Sequence, residues 1–192
     1  RFGVINDNAI ITIADSSYGI YTANWNGDVK ANITKNDMYS IGNSVFALSL
    51  SGSKILVEGN DILASGVFTT AIASKVDEIT INNNKIASSG SNNGTPLGYD
   101  SFGIYSRAIY IDAGNATITS NDINATVSGI FALGDNTLIC NNTINVEDTG
   151  VSQNNGLDGS CALYIGSDSE ICDNVITYVG KTNGTYQKAI IY

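Results

Sequence analysis

A six-residue pattern returns six times along the chain: an apolar residue, two spacers, Asn, one spacer and a second apolar residue. It reads Ile33-Thr-Lys-Asn36-Asp-Met38, Val57-Glu-Gly-Asn60-Asp-Ile62, Ile81-Asn-Asn-Asn84-Lys-Ile86, Ile118-Thr-Ser-Asn121-Asp-Ile123, Ile139-Cys-Asn-Asn142-Thr-Ile144 and Ile171-Cys-Asp-Asn174-Val-Ile176. The Asn-to-Asn intervals are 24, 24, 37, 21 and 32 residues. A second motif, a small residue followed by an apolar one, precedes the first: Ala47-Leu48, Ala71-Ile72, Ala108-Ile109, Gly129-Ile130 and Ala162-Leu163. Its apolar residue stands 9, 9, 9, 9 and 8 residues ahead of the one that opens the Asn motif. Gly19-Ile20 starts an earlier, longer copy, and Ala189-Ile190 starts one that is cut off. Two motifs held in phase through this many copies require a fold built of stacked, equivalent units.

The spacing of the apolar residues selects the backbone. Leu48 and Leu50, Ile55 and Val57, Ile79 and Ile81, Ile109 and Ile111, and Leu163 and Ile165 alternate with other residues, the period of a strand with one face buried. The segments are short and end in Gly, Asn, Asp or Ser, residues that suit tight turns and left-handed corners. No stretch sustains the 3.6-residue period of a helix. The expectation is a single all-β domain over residues 1–192, a parallel β-solenoid of about seven coils of about 21–24 residues. Successive coils would stack at roughly 4.8 Å, as a three-sided helix or as a flattened stack of β-arches.

These two motifs resemble those of the right-handed parallel β-helix proteins of the pectate-lyase-like superfamily. The resemblance covers nearly the whole chain and is nearest to the Asn-rich repeats of microbial surface proteins, including archaeal adhesin-like, sheath and surface-layer proteins. It implies a β-helix fold and a place on the cell exterior. Because enzymes, adhesins and scaffolds share the fold, it does not select among them.

In a solenoid, equivalent positions lie above one another. The apolar positions of the Asn motif would form interior stacks, each buried side chain contributing roughly 1.5–3 kcal/mol. Asn36, Asn60, Asn84, Asn121, Asn142 and Asn174 would form a structural column at a corner, their amides bonding up and down the stack. The next column outward is Asp37, Asp61, Lys85, Asp122, Thr143 and Val175, where Lys85 can relieve the acids on both sides. Solvated charges rather than a metal are expected there. Of the three cysteines, Cys140 and Cys172 hold the same register in consecutive coils and should lie close enough for a disulfide. Cys161 is left over, a candidate for an intermolecular bond or a lone thiol. Sequons occur at Asn32, Asn93, Asn115, Asn124, Asn141 and Asn183, about what so Asn-, Ser- and Thr-rich a composition produces by chance. Pro96 after Thr95 weakens Asn93, which leaves the other five as glycosylation candidates on an extracellular chain.

Composition narrows function mainly by exclusion. Charged residues are only 14% of the 192, the formal net charge is −9, and polarity is carried by 24 Asn, 20 Ser and 16 Thr. Scattered basic residues on an acidic chain argue against nucleic-acid binding, and no apolar run is long enough to span a bilayer. The absence of His excludes Ser-His-Asp and Cys-His catalysis and His-ligated metals. The insertions 87–107, 145–160 and 177–188 should emerge along one edge, where binding residues usually sit. They carry Tyr99, Asp100, Tyr105, Arg107, Glu147, Asp148, Asp158, Tyr178, Lys181, Tyr186 and Lys188. Aromatics with carboxylates suit a sugar chain, and Arg107 or a Lys would have to be the base of a β-helix lyase, but no acidic pair recurs within one ladder. Neither Arg1-Phe-Gly-Val-Ile nor Lys188-Ala-Ile-Ile-Tyr192 reads as a polar cap, which suggests a piece of a longer chain or a unit that stacks on its own copies. The resulting expectation is an extracellular, cell-surface structural protein without catalytic activity or cofactor. It would associate end to end or edge to edge into a sheath, surface layer or fibre. The alternative is a carbohydrate-binding or carbohydrate-cleaving domain of an adhesin.

Overall fold

The computed structural model describes residues 2–23, 28–91, 106–112, 114–148, 160–180 and 189–191. Those residues form strands and turns and no helix, and every strand pairing is parallel. The protein is a parallel β-solenoid. Each coil contributes strand segments to three ladders, here faces I, II and III. Face I stacks Tyr18–Tyr21, the first part of Phe46–Glu58, the first part of Thr70–Asn82, Arg107–Ile111, Ser128–Ala132, Cys161–Ile165 and Ala189–Ile191. Face II stacks Phe2–Asn6, Lys30–Thr34, the second parts of the same two long strands, Asn115–Thr119, Thr137–Cys140 and Glu170–Cys172. Face III is a separate sheet of seven strands: Ala9–Ile13, Asp37–Ile41, Asp61–Val67, Lys85–Ser91, Asp122–Ala125, Thr143–Asp148 and Val175–Gly180. Faces I and II belong to one sheet of 12 strands because Phe46–Glu58 and Thr70–Asn82 continue round the corner between them.

The registers make the repeat literal. Ile5, Ile33, Val57, Ile81, Ile118, Ile139 and Ile171 pair in succession on face II, and Ile10, Met38, Ile62, Ile86, Ile123, Ile144 and Ile176 on face III. In the central coils these side chains are fully buried in one continuous core. The turn between faces II and III has one recurring geometry. The residue before each corner Asn takes a left-handed conformation: Asp7, Lys35, Gly59, Asn83, Ser120, Asn141 and Asp173 have φ between 51° and 66°. That kink turns the chain by one sharp step and aims the following Asn side chain inward.

One register departs from the expected copy. Ala189 lies opposite Cys161 and Ile191 opposite Leu163, so Ile190, not Ala189, occupies the small-residue position of the final strand.

The small residue of the second motif has a packing cause. It lies where face I turns in against the interior of face III. A Cβ on Gly129 would meet the Ala162 carbonyl oxygen at 2.5 Å, Ile144 Cγ2 at 3.1 Å and Val146 Cγ2 at 3.3 Å. Val146 occupies a position that is Ser40, Ala64, Ser88 and Ala125 in the preceding coils. The missing methyl on face I therefore spares first the Ala162 carbonyl of the next coil, a main-chain atom, and only then the side chains of Ile144 and Val146. Gly129→Ala is expected to cost about 1–3 kcal/mol by overpacking. Adding Val146→Ala should recover only a small part of that cost in a double-mutant cycle measured by urea unfolding, because the Ala162 carbonyl stays in place; full recovery would show that Val146 and not the main chain sets the limit.

Candidate functional site

The Asn column is a closed hydrogen-bond ladder. At each step the Oδ1 of one Asn accepts both the backbone N–H and the Nδ2 of the Asn one coil earlier. Asn60 donates to Asn84 Oδ1 from N and Nδ2, each at 2.9 Å, and Asn84 repeats this to Asn121 at 2.9 and 3.0 Å. Nδ2 also reaches two backbone carbonyls: for Asn60, those of Ile33 at 2.9 Å and Glu58 at 3.1 Å. Asn36, Asn60, Asn84, Asn121 and Asn142 are buried, and Asn174 is half-buried. Their polar atoms are turned onto one another and the main chain rather than toward a ligand. The ladder includes a seventh member, Asn8, whose N and Nδ2 donate to Asn36 Oδ1 at 3.0 and 2.9 Å.

Outward-facing columns tie the coils from outside. On face II the column Asn6, Thr34, Glu58, Asn82, Thr119, Cys140, Cys172 begins with polar links. Thr34 Oγ1 donates to Asn6 Oδ1 at 2.7 Å, Asn82 Nδ2 to Glu58 Oε1 at 2.8 Å and Thr119 Oγ1 to Asn82 Oδ1 at 3.0 Å. The column ends in a Cys140–Cys172 disulfide, with Cα atoms 4.6 Å apart. Cys161 stands outside that bond, buried at 3% exposure on the outer side of face I. The residue belongs to the outer cluster of face I with Phe46, Ala73, Tyr110 and Phe131.

On face III, Lys85 Nζ lies 3.1 Å from Asp61 Oδ2. The Asp61 hydrogen bond and charge, with Asp122 adding its field, raise the ammonium pKa. Asp28 is held below the usual carboxylate range by hydrogen bonds from Ser53 and Lys30. Both shifts reinforce the ordinary charged state, so neither group is poised as a neutral acid or base.

Two surface features stand out. Along the outer side of face I, the residues that follow the small–apolar pair form an aromatic stack: Phe131 is 4.2 Å from Tyr164 and 5.9 Å from Tyr110, centroid to centroid. The Arg107 guanidinium carbon lies 4.5 Å from the Tyr110 ring and 4.3 Å from that of Phe131. Arg107, Tyr110 and Phe131 are buried, together with Phe46 and Ala73. This corrects the reading of Arg107 as a possible lyase base: it is a buried cation packed on aromatic faces. Face III instead presents a shallow cleft of about 490 Å³, lined by Asn124, Asn145, Glu147, Thr126, Thr177 and Ala87 among others. Further along the same face, Ile11 and Ile13 pair with Tyr39 and Ile41, and all four are exposed.

Of the remaining expected site residues, Asn115, Asn124 and Asn141 are exposed and Asn32 is half-buried, all on outward columns or corners. Asn93, Asn183, Tyr99, Asp100, Tyr105, Asp158, Lys181, Tyr186 and Lys188 lie outside the described residues, as does the Asp148 side chain. Tyr178 packs on the core and donates its hydroxyl to the Ser160 carbonyl at 3.3 Å, whereas Glu147 lines the face III cleft. Those two insertion residues therefore do not converge. Among the described residues no helix is long and apolar enough to cross a membrane. No family model, curated protein or solved structure matches the chain.

Proposed function

We propose that this chain is a non-enzymatic structural β-solenoid of the cell exterior, akin to the right-handed β-helix surface proteins, which associates with copies of itself in a sheath, surface layer or fibre. The observation that carries the reading is the outer side of face III. Ile11 and Ile13 pair with Tyr39 and Ile41 as an apolar patch with exposures of 68, 74, 37 and 44%. A contiguous patch of this kind marks a surface that is covered by another molecule in use. The ladders support the reading, since buried amides and an inter-coil disulfide give a rigid unit suited to a load-bearing role. The test is light scattering of the native protein across concentrations, with and without reductant. Assemblies should persist under reduction, because the disulfide lies within one chain and Cys161 is buried. Ile13→Lys combined with Ile41→Lys should dissolve them. A 20.1 kDa monomer at every concentration would refute self-association.

The face III cleft favours a second reading, a carbohydrate-binding module of adhesin type. Its amides, hydroxyls and carboxylate beside Ala87 suit the hydroxyls and C–H faces of a neutral sugar chain. A glycan array without a binder would remove it.

A further inference from the structure

The end of the face II outer column holds more than a crosslink. Leu138, Ile139 and Cys140 pair with Glu170, Ile171 and Cys172, so Glu170 follows the same outward column spacing as Cys172, two residues earlier on its strand. One carboxylate oxygen of Glu170 and the two sulfurs all lie within 4.8 Å of one another. Glu170 is exposed, Cys172 half-buried and Cys140 buried. The register that brings the sulfurs together does not depend on the bond between them. Beyond Cys140, Asn141 N donates to the Cys172 carbonyl at 3.1 Å, and Asn142 donates from N and Nδ2 to Asn174 Oδ1, each at 2.9 Å. The main chain therefore keeps the two thiols adjacent when the disulfide is cut.

We propose that the reduced Cys140–Cys172 pair, together with Glu170, is a binding site for a thiophilic divalent cation of the zinc class. The donor set is two thiolates and one carboxylate on a partly open surface. It fits an ion that prefers tetrahedral coordination, with Zn–S of about 2.3 Å and Zn–O of about 2.0–2.2 Å, and leaves the fourth position to water. Tetrahedral geometry requires the sulfurs to stand about 3.8 Å apart, which side-chain rotation supplies on strands whose Cα atoms are already 4.6 Å apart. The chemistry balances. A phosphine reductant takes the disulfide to two thiols and becomes the phosphine oxide, with oxygen and two protons from water. Metal binding then releases the two thiol protons. The same two side chains join the coils covalently in an oxidising medium and through a metal in a reducing one. The states exclude each other, because each uses both sulfurs.

Cobalt(II) titration of the phosphine-reduced protein, with the reductant removed under anaerobic conditions, tests this. One equivalent should bind with thiolate charge-transfer and tetrahedral d–d absorption, and zinc should displace it. The oxidised protein should show neither band. Cys161→Ser should bind as the parent does, Cys172→Ser should lose the thiolate band, and Glu170→Gln should bind about tenfold more weakly or worse. The far-ultraviolet circular dichroism of the reduced, metal-free protein should match that of the oxidised protein. Loss of that signal would overturn the proposal, which needs the main chain to hold the pair. So would absence of a thiolate–cobalt band, a band that survives Cys172→Ser, or parent-like affinity in Glu170→Gln.

Discussion

Asn84→Ala is expected to destabilise the solenoid by about 3–5 kcal/mol, whereas Asn174→Ala should cost only about 1 kcal/mol. Asn84 sits mid-ladder and is 2% exposed. Truncating it removes the acceptor of the Asn60 N–H and of one Asn60 Nδ2 bond, both at 2.9 Å. It also strips the Val57 and Asn82 carbonyls of a donor at 2.9 and 3.0 Å. The corner is closed to bulk solvent, so the Asn60 N–H is left as a buried donor without its acceptor, at about 1–3 kcal/mol. The lost bonds and the small cavity supply the remainder. Asn174 accepts the same pair of bonds from Asn142, but it is half-buried and water can stand in. Asn84→Asp separates the two halves of the argument. It keeps the acceptor for Asn60 but turns an oxygen toward three acceptors, Asn121 Oδ1 and the two carbonyls, so it should destabilise as much as alanine does. Urea unfolding gives the free energies, and hydrogen exchange at the Asn60 amide locates the loss. An Asn84→Ala protein within about 0.5 kcal/mol of the parent would show that the ladder is not what holds the corner.

The solenoid is legible in the sequence because its physics repeats. A buried corner amide and two interior apolar stacks impose the same residues every coil, and repetition turns a weak local signal into a strong one. Asn8 carries the same signature, Ile5-Asn-Asp-Asn8-Ala-Ile10. It escapes a reading anchored on the small–apolar pair because Gly3-Val4 stands directly before Ile5, out of the 8- or 9-residue phase kept by the pairs from Ala47-Leu48 onward. The final register escapes for a related reason: Ala189 imitates the small residue, and residues 190–192 are too few to set its phase against an Asn motif. Strict alternation also hides that face I is buried on both sides. The visible trace is aromatic, in Ala108-Ile109-Tyr110, Gly129-Ile130-Phe131 and Ala162-Leu163-Tyr164, where the residue after the pair should have been polar on a solvated face. That burial also decides the fate of Arg107 and Cys161. Both read as surface chemistry from their neighbours in sequence and both are enclosed in the structure. The apolar patch of face III depends on which of two alternating sets points outward in coils where both sets are apolar, as in Ala9-Ile-Ile-Thr-Ile13. The Asn motif settles it for Tyr39 and Ile41, since Met38 points inward, and for Ile11 and Ile13 the phase comes from the Asn8 copy.

Replacing the disulfide with serines at Cys140 and Cys172 should lower stability by about 3–4 kcal/mol, the chain-entropy value for a closed loop of 32 residues. At roughly 2–4 °C per kcal/mol for a domain of this size, the unfolding midpoint should fall by about 6–16 °C. The loss should be uneven along the rod. Elsewhere in the same outward column, single hydrogen bonds such as Thr119 to Asn82 link adjacent coils, each worth about 0.5–1.5 kcal/mol net. The disulfide therefore ties its two coils more firmly than any other link in that column. The strands it serves need it most, because Glu170–Cys172 has three residues and the core residues Ile171 and Ile176 are only half-buried there. Hydrogen exchange should accelerate first at Glu170–Cys172 and Val175–Gly180, while the amides of Asn36, Asn60 and Asn84 keep their protection. Uniform acceleration along all seven rungs would mean that the coils melt as one unit. An unchanged midpoint would mean that the Asn ladder alone sets the stability of the last coils.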